Sequence, residues 1–157
     1  DRFGVQEGDS LGLFQLAADT LDRLDREAVP EVALRYFQIW LLDLVGYRPE
    51  LFRCVSCSNQ ARPVDQFFSL SEGGLLCPSC GPQRDQARPL TLLALKVLRH
   101  TQRNSYAQAA RPKLSPSVAQ ELDGLLESYF SYLLERELNV PGFVRQVRRL
   151  KETNVYS

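Results

Sequence analysis

Four cysteines, the only ones in the sequence, form two C-x-x-C pairs that nineteen residues separate. Thiolates at this spacing are typical of zinc ribbons, in which each pair forms a tight knuckle and four sulfurs surround one ion as a tetrahedron. Four thiolate ligands leave no coordination position for water or substrate, so such an ion is structural rather than catalytic. The spacing therefore predicts one structural Zn²⁺ site with these ligands: Cys54, Cys57, Cys77 and Cys80.

Two other cysteine chemistries compete with zinc. Disulfides would suit an oxidising compartment, but no signal peptide is visible and the cysteines come as close pairs. A thioredoxin-like redox pair would stand at a strand-to-helix junction of a βαβ unit, which the flanking residues do not predict. The hypotheses differ in outcome: a thiol redox switch leaves an oxidised, metal-free chain folded, whereas a zinc ribbon should melt when its metal is chelated.

The residues between the cysteine pairs predict a short β-hairpin. Gln66–Leu70 and Gly74–Leu76 form its strands, and Ser71–Gly73 forms its turn. Gly81, directly after the second pair, can adopt the positive φ that a knuckle requires. Because a two-stranded hairpin is marginally stable alone in water, we expect the metal to order this segment.

The rest of the chain has the periodicity of amphipathic helices. We predict a helix over 11–26 behind an Asp9–Ser10 cap, and a second helix from Pro30 to Gly46 with Trp40 in the core. A third helix is capped by Thr91, and a single helical turn follows within 102–113. A long helix then runs from Pro116 to about Glu137, and a short terminal helix carries Phe143, Val147 and Leu150. Gly124, inside the long helix, suggests a close approach between helices.

These elements define a mainly α fold, a bundle of four to five helices with an inserted Cys₄ zinc ribbon. The predicted divisions are a first helical part over 1–50, the ribbon over 51–88 and a second helical part over 89–157. No apolar run is long enough for a membrane span, and reduced cysteines without an export signal indicate a cytoplasmic protein.

Charge is distributed unevenly, although the net charge is zero. Residues 1–50 carry ten acidic and five basic side chains, whereas residues 51–157 carry nine acidic and fourteen basic ones. A basic stripe could neutralise DNA phosphates, with binding that weakens steeply with salt, although a solvated surface explains the same charges equally well. The candidates are Arg99, Arg103, Arg111, Lys113, Arg145, Arg148, Arg149 and Lys151.

The sequence contains no recognisable catalytic constellation. His100 is the only histidine and has no carboxylate or cysteine at a spacing that would orient it as a base. No phosphate-binding glycine loop and no H-E-x-x-H motif is present. Tyr106, Tyr129 and Tyr132 could stack on bases, but packing is the better interpretation of tyrosines at helical spacing. We therefore expect a protein that binds and does not catalyse.

An apolar helix, a Leu-x-Gly-Tyr ending and the two cysteine pairs follow one another in an order that resembles the RecO family of bacterial recombination mediator proteins. The shared residues are Leu34–Phe37, Trp40–Leu42, Leu44–Tyr47, Pro49, Leu51, Cys54, Cys57, Phe67–Phe68, Gly73–Gly74, Leu76–Cys77 and Cys80. The resemblance implies a non-enzymatic role in recombinational repair, with binding to single- and double-stranded DNA. It also implies strand annealing, contact with the single-stranded-DNA-binding protein, and RecA loading together with RecR near the nucleoid.

The chain departs from that family in one respect, because family members begin with an OB-fold barrel and a first bundle helix that this sequence does not predict. The resemblance assigns the partner contact to the helical domain. There, Arg35 would bind the acidic, phenylalanine-terminated tail of the single-stranded-DNA-binding protein. The alternative is an ion pair with Glu31, four residues earlier. At the level of function, the alternative is a zinc-ribbon adaptor or transcription-associated module unrelated to recombination.

Overall fold

A computed structural model describes residues 7–138 as a helical bundle with a three-stranded sheet inserted between the second and third helices. The first two helices, α1 (Glu7–Arg26) and α2 (Pro30–Leu44), form a hairpin. Pro30 begins α2, as predicted, because a proline at the first helical position lacks only an N–H that would have no partner there. Gly46 ends the helix with φ +89°, a value that favours glycine.

The start of α1 differs from the prediction. The helix already includes Asp9 and Ser10, so these residues do not cap it. Along the body of α1, Leu11, Phe14 and Leu21 are about 70% exposed. Their side chains point away from the face of the helix that carries Thr20, which is buried. The apolar periodicity of α1 therefore covers two faces, of which only one packs against α2.

The inserted sheet has three antiparallel strands in the order β2-β1-β3: β1 (Gln66–Ser69), β2 (Gly74–Leu76) and β3 (Ala87–Leu90). The hairpin of β1 and β2 confirms the predicted strands, with Phe68 opposite Leu75. The third strand was not predicted, because Arg88 and Pro89 are typical of a connector. Pro89 is tolerated there because β3 is an edge strand.

The second half of the described chain contains α3 (Leu92–Arg103), the short α4 (Tyr106–Ala109) and the long α5 (Pro116–Leu138). Thr91 caps α3, as predicted, by accepting a hydrogen bond from the N–H of Ala94 at 3.3 Å. Ser115 accepts one from Val118 at 3.3 Å and thereby caps α5. The predicted terminal helix with Phe143, Val147 and Leu150 lies outside the described residues.

The core is shared by the helices and the sheet. Phe68 of β1 is 1% exposed and meets the ring of Tyr129 edge to face at 5.4 Å. Leu75 of β2 and Leu90 of β3 are buried in the same cluster as Leu95 of α3. The sheet is therefore stabilised by apolar packing against the helices, in addition to any stabilisation from the cysteine knuckles. The domain boundaries at 50/51 and 88/89 stay a prediction.

Two packing predictions need correction. Trp40 is half-buried rather than enclosed in the core, and its indole N–H donates to the carbonyl of Thr101 at 2.9 Å. At Gly124, the neighbour is the guanidinium of Arg88, which donates to the Gly124 carbonyl at 3.2 Å. The group that lies against Gly124 is therefore an arginine side chain from β3 and not another helix, and a Cβ at this position would meet it at an ordinary contact distance of 3.6 Å. Among the described residues, no helix is both long and apolar enough to cross a membrane.

Candidate metal centre and partner groove

The four cysteine sulfurs converge at one end of the sheet. All four lie within 4.8 Å of one another, and those of Cys57 and Cys77 are 3.9 Å apart. Sulfurs at about 2.3 Å from a tetrahedral ion are separated by roughly 3.8 Å, so these positions suit a metal ion. All four cysteines are free thiols. The predicted ligands Cys54, Cys57, Cys77 and Cys80 are thus brought together as a group that could hold a metal.

Backbone N–H groups of the two knuckles surround the buried sulfur of Cys54. The N–H of Cys77 donates to it at 3.3 Å. Burial disfavours the thiolate, but hydrogen bonds from the N–H groups of Cys57, Cys77 and Ser56 outweigh burial and lower the pKa of Cys54 to about 6. A hydrogen bond with Cys77 raises the pKa of Cys80 to about 12. One ionised sulfur therefore forms readily, while a bound cation would favour the loss of the other protons.

Residues outside the cysteines hold the two knuckles together. Arg84 donates to the hydroxyl of Ser56 at 2.6 Å and to the carboxylate of Glu72, so it links the first knuckle to the hairpin turn. Gly81 is buried against the ring of Phe67, and an added Cβ would overlap a ring carbon. Gly81 does not adopt the positive φ that the sequence predicted, and its lack of a side chain instead permits this close approach to Phe67.

Arg35 lines a groove to which none of the four cysteines contributes. The groove has a volume of about 960 Å³, and α2, α3, α4 and the first turns of α5 form its walls. The apolar part of the lining includes Ala28, Val29, Val32, Val97, Ala109, Ala110, Pro112, Leu114 and Ala119, and the basic side chains are those of Arg35, Lys96 and Lys113.

Arg35 is the only charged side chain that is buried within the described part of the chain, at 8% exposure. Its guanidinium pairs with Asp123 of α5, with Nε 2.9 Å from Oδ1 and Nη2 3.3 Å from Oδ2. The alternative partner Glu31 also lines the groove but is not the residue that Arg35 contacts. Sequence periodicity could not identify Asp123, because it lies 88 residues further along the chain.

The predicted DNA-contacting arginines have unequal roles. Arg99 donates through Nε and Nη2 to the carbonyl of Leu51, at 2.9 and 2.7 Å, so this donor edge is occupied by a contact within the fold. Burial and the nearby Arg103 lower its pKa. Arg103 is exposed and stacks on the ring of Phe52 at 4.1 Å. Phe52 was missed by sequence reasoning, since a lone aromatic residue before a cysteine knuckle carries no signal.

The remaining basic candidates lie in two places. Arg111 and Lys113 are exposed in the connection before α5, and Lys113 reaches the groove. The other four, Arg145, Arg148, Arg149 and Lys151, lie outside the described residues.

The tyrosines and the histidine are engaged in packing. Tyr129 is buried, and Tyr106 lies under the guanidinium of Arg23 at 4.0 Å and donates to Glu27. Burial and that hydrogen bond raise the pKa of Tyr106 to about 12. Tyr132 is half-buried. His100 is half-buried at the groove, where its Nε2 lies 3.0 Å from the carbonyl oxygen of Gln108.

Comparison with known proteins agrees with this arrangement. Residues 3–141 match the protein family described as Recombination protein O C terminal. The DNA repair protein RecO of Dehalococcoides mccartyi is 34% identical over 135 residues, which cover 86% of this chain and 53% of that protein. The DNA repair protein RecO of Roseiflexus is 32% identical over 154 residues, 98% of this chain and 54% of that protein.

A third relative, the DNA repair protein RecO of Symbiobacterium thermophilum, is 34% identical over 123 residues, which cover 76% of this chain and 48% of that protein. The chain thus spans about half the length of the curated relatives it matches. With the family match extending over most of the sequence, the chain belongs to the RecO family and corresponds to its C-terminal region.

Proposed function

We propose that this chain acts, as part of a RecO-type protein, in DNA repair by homologous recombination without catalysing a reaction of its own. It binds DNA and the single-stranded-DNA-binding protein, promotes strand annealing, and supports RecA loading together with RecR at the nucleoid. The observation that carries this proposal is the apolar groove beside Arg35, because it offers the two features that an acidic, phenylalanine-terminated tail requires.

An aromatic C-terminus with flanking carboxylates needs an apolar surface for the ring and fixed cations for the charges. Val32, Val97 and Leu114 supply the apolar surface. Lys96 and Lys113 supply exposed charges, which favour the rate of encounter more than tight binding. Arg35 is the buried cation, and a buried charge positioned by packing is where the largest binding contribution is expected.

The cysteine cluster supports a structural Zn²⁺ ion. Four sulfurs within 4.8 Å of one another match the soft, tetrahedral ligand set that zinc prefers. The ion would keep the segment between Leu51 and Phe67 in a fixed shape beside α3. In this proposal the zinc takes no part in chemistry, because four cysteine ligands leave no open position for water or substrate.

For DNA, we propose a contact surface around Phe52. The ring carries the exposed guanidinium of Arg103 at 4.1 Å, and Arg53 is exposed next to it in the chain. Arg99 positions this surface through the Leu51 carbonyl. Because Arg103 and Arg99 already lie over the Phe52 ring, at 4.1 and 4.9 Å, the group that meets a single strand in this proposal is the exposed guanidinium of Arg103, which suits a phosphate or the face of a base. Arg145, Arg148, Arg149 and Lys151 would extend the basic surface.

The test is a fluorescence-anisotropy titration with an acidic peptide that ends in phenylalanine. Arg35→Gln should weaken binding about tenfold or more, since it removes a buried charged anchor. Arg62→Gln makes the same charge change at an exposed position outside the groove and should change the affinity less than about twofold. A peptide with alanine in place of its terminal phenylalanine should also bind poorly.

The outcomes separate the two functional readings. Saturable peptide binding that depends on Arg35, together with salt-sensitive binding of single-stranded DNA, would support the recombination mediator. Failure to bind both ligands would overturn it and favour an adaptor that uses its metal ribbon to contact other proteins.

A further inference from the structure

The groove already contains a carboxylate that resembles its proposed ligand. Asp123 meets the Nε and Nη2 edge of Arg35 in a two-point contact, at 2.9 and 3.3 Å. This is the edge of a guanidinium that a carboxylate prefers, because two parallel N–H groups match two oxygens. An incoming acidic peptide would therefore find the best donor edge of Arg35 already occupied.

The two partners of this ion pair differ in their access to water. The side chain of Arg35 is 9% exposed, whereas that of Asp123 is 49% exposed. Moving Arg35 would take its charge out of a packed position, but Asp123 can turn into solvent and be hydrated there. The exchangeable member of the pair is thus the carboxylate, and the guanidinium stays in the groove.

We propose that Asp123 is an internal competitor that occupies the carboxylate-binding edge of Arg35 and is displaced when the acidic tail binds. This inference rests on the proposed function, because it concerns the ligand of the same groove. It gives the ion pair two roles: Asp123 neutralises a buried charge when the groove is empty, and it limits affinity for weakly acidic sequences. A ligand must supply a carboxylate that replaces the one it displaces.

A positioning role for Asp123 would predict the opposite effect on binding. Asparagine separates the two roles, since its amide oxygen can still accept a hydrogen bond from Arg35 while the competing charge is gone. The groove also contains Glu27 and Glu31, which repel an acidic peptide. Loss of any carboxylate from the groove, including that of Asp123, therefore also reduces this repulsion, and a control variant is needed to separate the two effects.

The experiment compares Asp123→Asn with Glu31→Gln in the same peptide titration. Both variants remove one carboxylate from the groove, but only the first frees the donor edge of Arg35. We expect Asp123→Asn to bind the peptide at least about threefold more tightly and Glu31→Gln to change affinity less than about twofold, as exposed charges are screened. Asp123→Ser removes the carboxylate in a second way and should act like Asp123→Asn.

Thermal melting shows whether each variant is folded. If the wild type binds the peptide and neither folded Asp123 variant binds it more tightly, the proposal that Asp123 competes with the ligand is wrong, but the proposed function is unaffected. An equal gain in Glu31→Gln would also overturn the competitor, because the effect would then be general charge. Absence of peptide binding by the wild type and by every folded variant would overturn the proposed function itself and the competitor with it.

Discussion

Replacing Phe68 with alanine should destabilise the whole described fold and not only the metal ribbon. Phe68 lies on β1, the central strand of the inserted sheet, and is 1% exposed. Its ring packs edge to face on Tyr129 of α5 at 5.4 Å, at an interplanar angle of 75°. The side chain thus joins the inserted sheet to the longest helix of the bundle.

The expected loss follows from this burial. Truncation of a buried phenylalanine to alanine costs about 3–5 kcal/mol, because the apolar transfer energy is lost and a cavity remains. For a chain of this size, that loss lowers the melting temperature by roughly 6–20 °C. Typical unfolding free energies are about 5–15 kcal/mol, so one substitution removes a large share of the stability.

Urea denaturation followed by far-ultraviolet circular dichroism measures this loss, because the signal reports mainly the helices. Val64→Ala is the control: it lies just before β1, is 42% exposed, and should cost less than about 0.5 kcal/mol. Both variants should show one cooperative transition if the sheet and the helices share a core.

Two results would refute this reasoning. A loss below about 1 kcal/mol would mean that Phe68 does not contribute to the shared core. A new, separate transition, with the helical signal unchanged at its original midpoint, would mean that residues 51–88 unfold as an independent unit. That second result would support the predicted domain division.

Three further predictions concern the metal and the caps. A chelator should release one equivalent of metal per chain, make all four thiols reactive with a thiol reagent and lower the melting temperature. Folded protein that contains no metal and whose cysteines do not react would contradict the metal site. Gly81→Ala should lower the free energy of unfolding by about 1–3 kcal/mol and weaken metal binding, because the new methyl group overlaps the Phe67 ring. Titration calorimetry with zinc measures the affinity, and an unchanged affinity would contradict this prediction. Thr91→Val should cost about 1 kcal/mol in a thermal melt, because it removes the α3 cap and the hydroxyl bond to Glu121 at 2.8 Å; an unchanged melting temperature would show that the cap contributes nothing.

Features that depend on neighbouring residues were predictable from the sequence. The C-x-x-C pairs predict the ligand set because the two sulfurs of each pair are brought together by the turn between them, which depends on residues close in sequence. Thr91, Pro116 and Gly46 mark helix ends because capping depends on side chains and dihedral angles within one turn.

Features that depend on distant residues were not predictable. Strand β3 contains Arg88 and Pro89, which are poor strand formers, and it exists because β1 offers it a free edge. Arg99 looks like a surface cation in the sequence, but in the structure its donor edge is used by the Leu51 carbonyl, 48 residues away. Propensity carries no information about such partners.

The sequence alone therefore determined the cysteine site, the main helices and the family resemblance, since each rests on local spacing. Only the tertiary structure decided that Arg35 faces Asp123 beside an apolar groove, because those residues are 88 positions apart and meet only when α2 packs near the start of α5. The strength of a charged contact in that groove depends on this packing, since burial and pairing, and not residue type alone, set the energy of a charge.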